Sequence, residues 1–204
     1  MRRSLREKLK LILAFIGFLW VVFLVDVVIP VPLASFGLKP RSAVGLIGVV
    51  TMPLLHGGFH HILSNTIPLS VLLFLLSGSR MRSAEVVVGL IILGGFLLWL
   101  TGPSGATHVG ASGLVYGLIT FLIVAGIRQR RFLSLAVAVV TGFLFGGTLV
   151  FGILSSVGEG ISWQGHLTGA AAGVIIAMYT EKRSTRFRFR RAAARKSYGR
   201  PPHP

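Results

Sequence analysis

Between Leu11 and Pro30 the chain runs for twenty residues with one charged side chain, Asp26. Coiled as a helix, such a run is about as long as the hydrocarbon of a bilayer is thick. Five further apolar stretches follow, at about Phe59 to Ser77, Ala84 to Leu100, Ala111 to Ile127, Phe132 to Leu154 and Ser162 to Tyr179. Hydrophobic residues make up 53% of the 204 and charged residues 13%, with a mean hydropathy of +0.80. A soluble core of this size cannot hide that much apolar surface, so the expectation is an all-α membrane protein with six transmembrane helices.

A signal peptide is the other reading of the first run, since Arg2, Arg3, Arg6, Lys8 and Lys10 precede it. The run exceeds the roughly 7 to 15 apolar residues of a signal sequence, and the nearest small-residue pattern, Pro32-Leu33-Ala34, has proline at the wrong position for cleavage. A retained first span is expected, with Asp26 near its far end in a structural role. Residues 31–58 carry Pro32, Pro40 and Pro53 and glycines at 37, 45, 48, 57 and 58, too many interruptions for a span. They are expected to lie in the membrane interface, and Pro68 is expected to bend the second span.

The net charge of +16 is distributed by topology. Five Lys and Arg precede the first span, two (Arg80 and Arg82) follow the second, three (Arg128, Arg130, Arg131) follow the fourth and nine follow the sixth. The alternate side holds only Lys39 and Arg41. By the positive-inside rule both termini are cytoplasmic, and spans two, four and six enter from outside. Basic residues gathered at membrane flanks do not point to a nucleic-acid partner. The chain divides into a basic N-terminus (1–10), a six-helix core (11–181) and a basic tail (182–204), expected to be disordered and drawn to anionic lipid by about 1 kcal/mol per basic residue near the surface. The absence of cysteine excludes disulfides, thiolate metal sites and a cysteine nucleophile.

Polar residues inside such spans require an explanation. Ser112 stands between Gly110 and Gly113 where a polar turn enters the fourth span, and His61, Asn65 and His166 open the second and sixth. With the assigned topology all four lie at the same depth, and a serine beside a histidine is the minimum for nucleophilic catalysis. Tyr116 follows Ser112 by one helical turn, and Asn65 follows His61 by the same interval. Gly113 and Gly117 form one small-residue stripe, and Gly165, Gly169 and Gly173 another, which lets the fourth and sixth helices pack closely and brings His166 beside Ser112. For a lone serine the ordinary reading is a helix cap, and for the others interhelical hydrogen bonding. Only their conjunction points to chemistry. No Asp or Glu lies near them in sequence except Glu159, so a Ser-His dyad is more economical than a triad. The apolar surroundings favour a neutral His166 able to accept the serine proton. The glycine-rich turns Thr101 to Gly110 and Gly158 to Gly165 are candidate walls for a water-filled opening.

Leu55-His56-Gly57-Gly58-Phe59-His60-His61-Ile62-Leu63-Ser64-Asn65, then Gly110-Ala111-Ser112-Gly113 with Tyr116, then Gly165-His166-Leu167-Thr168-Gly169 with Gly173 resemble the three signature segments of the rhomboid intramembrane serine proteases. They occur in the family's order, on helices two, four and six. The resemblance implies a six-helix rhomboid-like bundle with Ser112 as nucleophile and His166 as general base. It further implies His61 and Asn65 as oxyanion donors and Tyr116 as the aromatic orienting the histidine. Gly110, Gly113, Gly169 and Gly173 become packing and orienting residues, and His56 a structural one. The implied protein is a monomer in a prokaryotic plasma membrane that cuts transmembrane protein substrates and uses no cofactor. Many members carry a Trp-Arg pair in the first outer loop where this chain has Ile47-Gly48, a departure that leaves the serine and histidine untouched. Two rivals stand beside this reading. One is a catalytically inactive relative that binds membrane proteins. The other is metal binding through His56, His60, His61, His108 and His166, which is disfavoured because adjacent His60 and His61 point about 100° apart on a helix.

Overall fold

The computed structural model describes residues 4–78, 83–154 and 162–198, with 181–198 described by backbone alone. Among them lie six long helices: α1 (Leu5–Val28), α2 (Phe59–Gly78), α3 (Ser83–Thr101), α4 (Ser112–Gln129), α5 (Phe132–Leu154) and α6 (Trp163–Tyr198). Helix α1 starts before the apolar run because Ser4 and Glu7 form a capping box, the Glu7 N–H donating to Ser4 Oγ (3.2 Å) and the Ser4 N–H to the Glu7 carboxylate (2.7 Å). Helix α2 runs through Pro68 without interruption. Helices α4 and α5 are separated only by Arg130, in the left-handed region (φ 48°), and Arg131.

Among the described residues, α1 to α5 are long and apolar enough to cross a membrane. Helix α6 falls short locally: Gln164, His166 and Thr168 and the glycines at 165, 169 and 173 dilute its first turns. It also runs to Tyr198, whereas the sequence expectation ends this span at Tyr179 and has disorder from Lys182. The stretch 174–198 contains neither glycine nor proline and is rich in Ala and Arg, strong helix formers, so the helix continues once begun. Residues 199–204, Arg80, Arg82 and Glu159 lie outside the described residues.

Helix α4 is the axis of the bundle. Every residue from Leu114 to Leu122 is buried, so all its faces are covered, whereas α1 buries only Ile16 and Leu19. Outward side chains such as Phe132 (91% exposed) and Phe143 (88%) would be untenable in water and are ordinary against lipid. Helix α1 is tied to α2 at both levels, by Lys8 Nζ donating to the Ser77 carbonyl (2.6 Å) and Trp20 Nε1 donating to Thr66 Oγ1 (3.1 Å).

Residues 31–58 pack against the helices. Asp26 accepts the Leu33 N–H (2.6 Å) and so starts a 3-10 turn, Leu33–Phe36, which fits its expected structural role. Short helical turns from Val44 to Leu54 then lie against α3, with Trp99 Nε1 donating to the Ser42 carbonyl (2.9 Å). Leu38 and His108 exchange both backbone hydrogen bonds (2.9 and 2.8 Å). A Cβ on Gly48 would lie 2.1 Å from Leu38 Cα, so the second position of Ile47-Gly48 has no room for a side chain.

The expected α4–α6 packing is observed. A Cβ on Gly169 would sit 2.1 Å from the Gly113 carbonyl oxygen, and one on Gly173 would sit 2.2 Å from that of Gly117. Thr120 Oγ1 donates across the same seam to the Ala170 carbonyl (2.8 Å). Alanine ordinarily favours a helix over glycine, so Gly142→Ala on α5, where nothing lies within 4 Å, should leave stability unchanged or raise it. Gly169→Ala should cost about 3 kcal/mol, because the obstacle is backbone that cannot rotate away. Opposite signs of the shift in thermal unfolding midpoint, measured in detergent, are expected; a Gly169→Ala chain as stable as the parent would contradict the close seam.

Candidate active site

Ser112 is the first residue of α4, half-buried, at the end of the bundle where α2 and α6 also begin. The turn that delivers it needs glycine at 110 for two reasons. Gly110 has φ +112°, unfavourable for other residues, and a Cβ there would come within 2.4 Å of His61 Nε2. Its N–H donates to the Met52 carbonyl (2.9 Å), and the next N–H, of Ala111, donates to His56 Nε2 (3.4 Å). The histidine loop therefore holds the serine turn.

His166 lies in the first turns of α6 and is buried. Its ring stacks on Tyr116 with centroids 4.1 Å apart and planes 2° from parallel. Tyr116 is one turn along α4 from Ser112, so the seam of glycines places the imidazole over the face of α4 that bears the serine. Ser112 Oγ and His166 share no hydrogen bond in this structure. His166 Nδ1 is instead bonded to the Gly152 carbonyl of α5 (2.8 Å), and Tyr116 donates its phenolic hydrogen to the Thr148 carbonyl (2.8 Å).

His61 packs edge-on against His56 (centroids 5.2 Å, 71°) and lies within electrostatic reach of His166. Asn65 is buried and spends one amide hydrogen on the His61 carbonyl (2.8 Å), keeping the second. Ser112, Tyr116, His166, His61 and Gly110 thus converge, as do His56, Gly113 and Gly169, while Asn65 lies one turn along α2 from His61 and Gly173 serves the seam deeper in the bundle. His60 is exposed beside Phe59, and His108 packs with Leu38, away from the others. Sequence reasoning did not single out Gly152 and Thr148. They act through backbone carbonyls, which every residue has, and only the small size of Gly152 was a signal.

The comparison with known proteins falls on these same residues. A model of the rhomboid domain matches residues 44–183, which contain His56, His61, Asn65, Ser112, Tyr116 and His166. The chain belongs to the rhomboid family. Uncharacterized proteins of Mycobacterium tuberculosis and Mycobacterium bovis are each 38% identical to it, over 92% of this chain and 81% of their own. A Bacillus subtilis protein that carries a provisional rhomboid-protease name is 28% identical over 68% of this chain and 70% of its own. Family and helices together make the chain a multi-pass integral membrane protein with an intramembrane-protease-like fold.

His56 lies outside the spans. Burial, then the neighbouring His61, lowers its pKa to about 4, against a smaller opposing effect of the Leu54 carbonyl, which lies near Nδ1 without a hydrogen bond of good geometry. The unfolded chain takes up a proton at this histidine below about pH 6.5, and the folded chain does so only near 4. Its contribution to stability is therefore complete above the unfolded value and is lost as pH falls through that window. Buried His108, also lowered by desolvation, adds to the same slope. The thermal unfolding midpoint in detergent should fall between pH 7 and 4.5, and less steeply in His56→Gln, whose amide oxygen can still accept the Ala111 N–H. Parallel slopes would refute this account.

Proposed function

We propose that this rhomboid-family chain is an intramembrane serine endopeptidase with a Ser112-His166 dyad. The observation that carries the reading is the parallel stack of His166 on Tyr116, one turn along α4 from Ser112, which fixes the imidazole against the helix that bears the half-buried hydroxyl. Ser112 Oγ attacks the scissile carbonyl, its proton passes to His166, and the same proton goes on to the leaving amine. Charge developing on the carbonyl oxygen is met by His61, by the second amide hydrogen of Asn65 and by the positive pole at the N-terminus of α4. Such a donor is worth about 2.7 to 4 kcal/mol at the transition state. An acyl-enzyme at Ser112 then requires water, which reaches the site from the end of the bundle where α2, α4 and α6 begin.

In this reading the bundle crosses a prokaryotic plasma membrane six times, α6 included, with both termini cytoplasmic, an orientation that the distribution of Lys and Arg supports. Ser112 then lies near the outer surface. The substrates are transmembrane helices cut near their outer ends, and the basic helix beyond Tyr179 meets anionic lipid on the inner face. The reading that the protease must be distinguished from is an inactive rhomboid-like binder of membrane proteins.

Incubation of the purified chain with single-span substrates separates the two. Ser112→Ala and His166→Ala should each lower cleavage by about three orders of magnitude or more, with the double variant no worse, because the pair acts as a unit. Cleavage retained in either single variant would refute the dyad, and an inactive parent chain would favour the binder. An intact helix hides its carbonyls in hydrogen bonds, so the substrate must unwind locally before it is cut. Replacing glycine or proline near the cut by leucine should slow cleavage, with the products, read by mass spectrometry, placing the cut in the outer half of the span. A cut in the cytoplasmic half would overturn the topology.

A further inference from the structure

A general base must present a lone pair on a defined nitrogen, and in a triad an acid enforces this. None of the described carboxylates is hydrogen-bonded to His166. Glu7 caps α1 and Asp26 caps the turn at Leu33. Among the described residues, the hydrogen-bond partner of the ring is the Gly152 carbonyl, 2.8 Å from Nδ1. We infer that this carbonyl is the positioning group of His166 and takes the part that an acid plays in a triad. The inference rests on the protease reading for its catalytic meaning.

A carbonyl oxygen can only accept, so Nδ1 carries the hydrogen and Nε2 keeps the lone pair. Helix α5 fixes the ring in two further ways. Thr148, four residues earlier on the same face, accepts the Tyr116 hydroxyl at 2.8 Å, so both members of the stacked pair are held by carbonyls one turn apart. At 152 there is also no room for a side chain, since a Cβ would lie 1.5 Å from the Tyr116 oxygen. A side chain there must push the ring pair off the carbonyl. Gly152 stands in the last turn of α5, at the negative pole of the helix. When the serine proton arrives at Nε2, the ring becomes an imidazolium that keeps its Nδ1 hydrogen on this carbonyl. The proton on Nε2 then leaves with the amine, and the ring returns to its starting tautomer.

The test reads the tautomer directly. Nitrogen-15 NMR of histidine-labelled protein in detergent is recorded on the Ser112→Ala chain, so that the readout does not depend on catalysis, with the His166 signal identified by its loss in His166→Asn. A neutral ring protonated at Nδ1 is expected, and Gly152→Ala in the same background should move a substantial fraction of the hydrogen to Nε2. In the chain with Ser112 intact, Gly152→Ala should lower kcat by about tenfold or more with little change in KM. An Nε2-protonated ring in the chain that keeps Gly152 overturns the inference even if Gly152→Ala does not fold, and so does a Gly152→Ala enzyme with unchanged kcat. An Nδ1-protonated ring, together with a parent chain that keeps Ser112 and still cleaves nothing, overturns the protease reading and leaves the positioning role intact.

Discussion

The contact on which the rest depends is the approach of two backbones. Gly169 meets the Gly113 carbonyl and Gly173 meets that of Gly117, with nothing but hydrogen atoms to spare. In lipid there is no gain from removing apolar surface from water, so helices are held by close packing and by hydrogen bonds such as that of Thr120 to Ala170. The same closeness sets the chemistry. Were α6 farther from α4 by one methyl group, His166 would lose its stack on Tyr116 and its depth relative to Ser112.

A second economy governs the polar side chains. Ser64, Thr66, Ser70, Thr101, Thr141 and Thr168 donate to carbonyls three or four residues back in their own helices, so they enter the bundle without leaving a donor bare. The groups at the site behave differently. His166 and Tyr116 reach across to α5, His56 reaches across to the turn before α4, and Asn65 keeps a hydrogen in reserve. These six hydroxyls turn back on their own helices, whereas His166, Tyr116 and His56 join different elements, as Thr120 does at the seam.

Much of this was legible in the residues. Length and apolarity placed five of the long helices to within a few residues, the G-x-x-x-G stripes named the pair that packs, and the fixed interval from Ser112 to Tyr116 gave the stack its geometry. Three features were not legible, for physical reasons. The helix beyond Tyr179 follows from propensity, which a strongly basic composition masks. The tight seating of residues 42–54 depends on Gly95 of α3 meeting the Val49 backbone and on Gly48 meeting the backbone of Leu38, and a glycine at such a place reads equally well as slack. The carbonyl of Gly152 has no side-chain signature at all.

The residues of the site are spread along the chain, from His56 to His166, and the seam that joins them needs α4 and the last long helix together. During synthesis α4 enters the bilayer some fifty residues before its main partner exists. In that interval Thr120 can turn back on the carbonyls of Tyr116 and Gly117, contacts it retains at 3.2 and 3.3 Å in the finished protein. The hydroxyl thus has a place to wait, and it takes up the Ala170 carbonyl when α6 arrives. A nascent chain therefore holds its serine without its base until α6 is made.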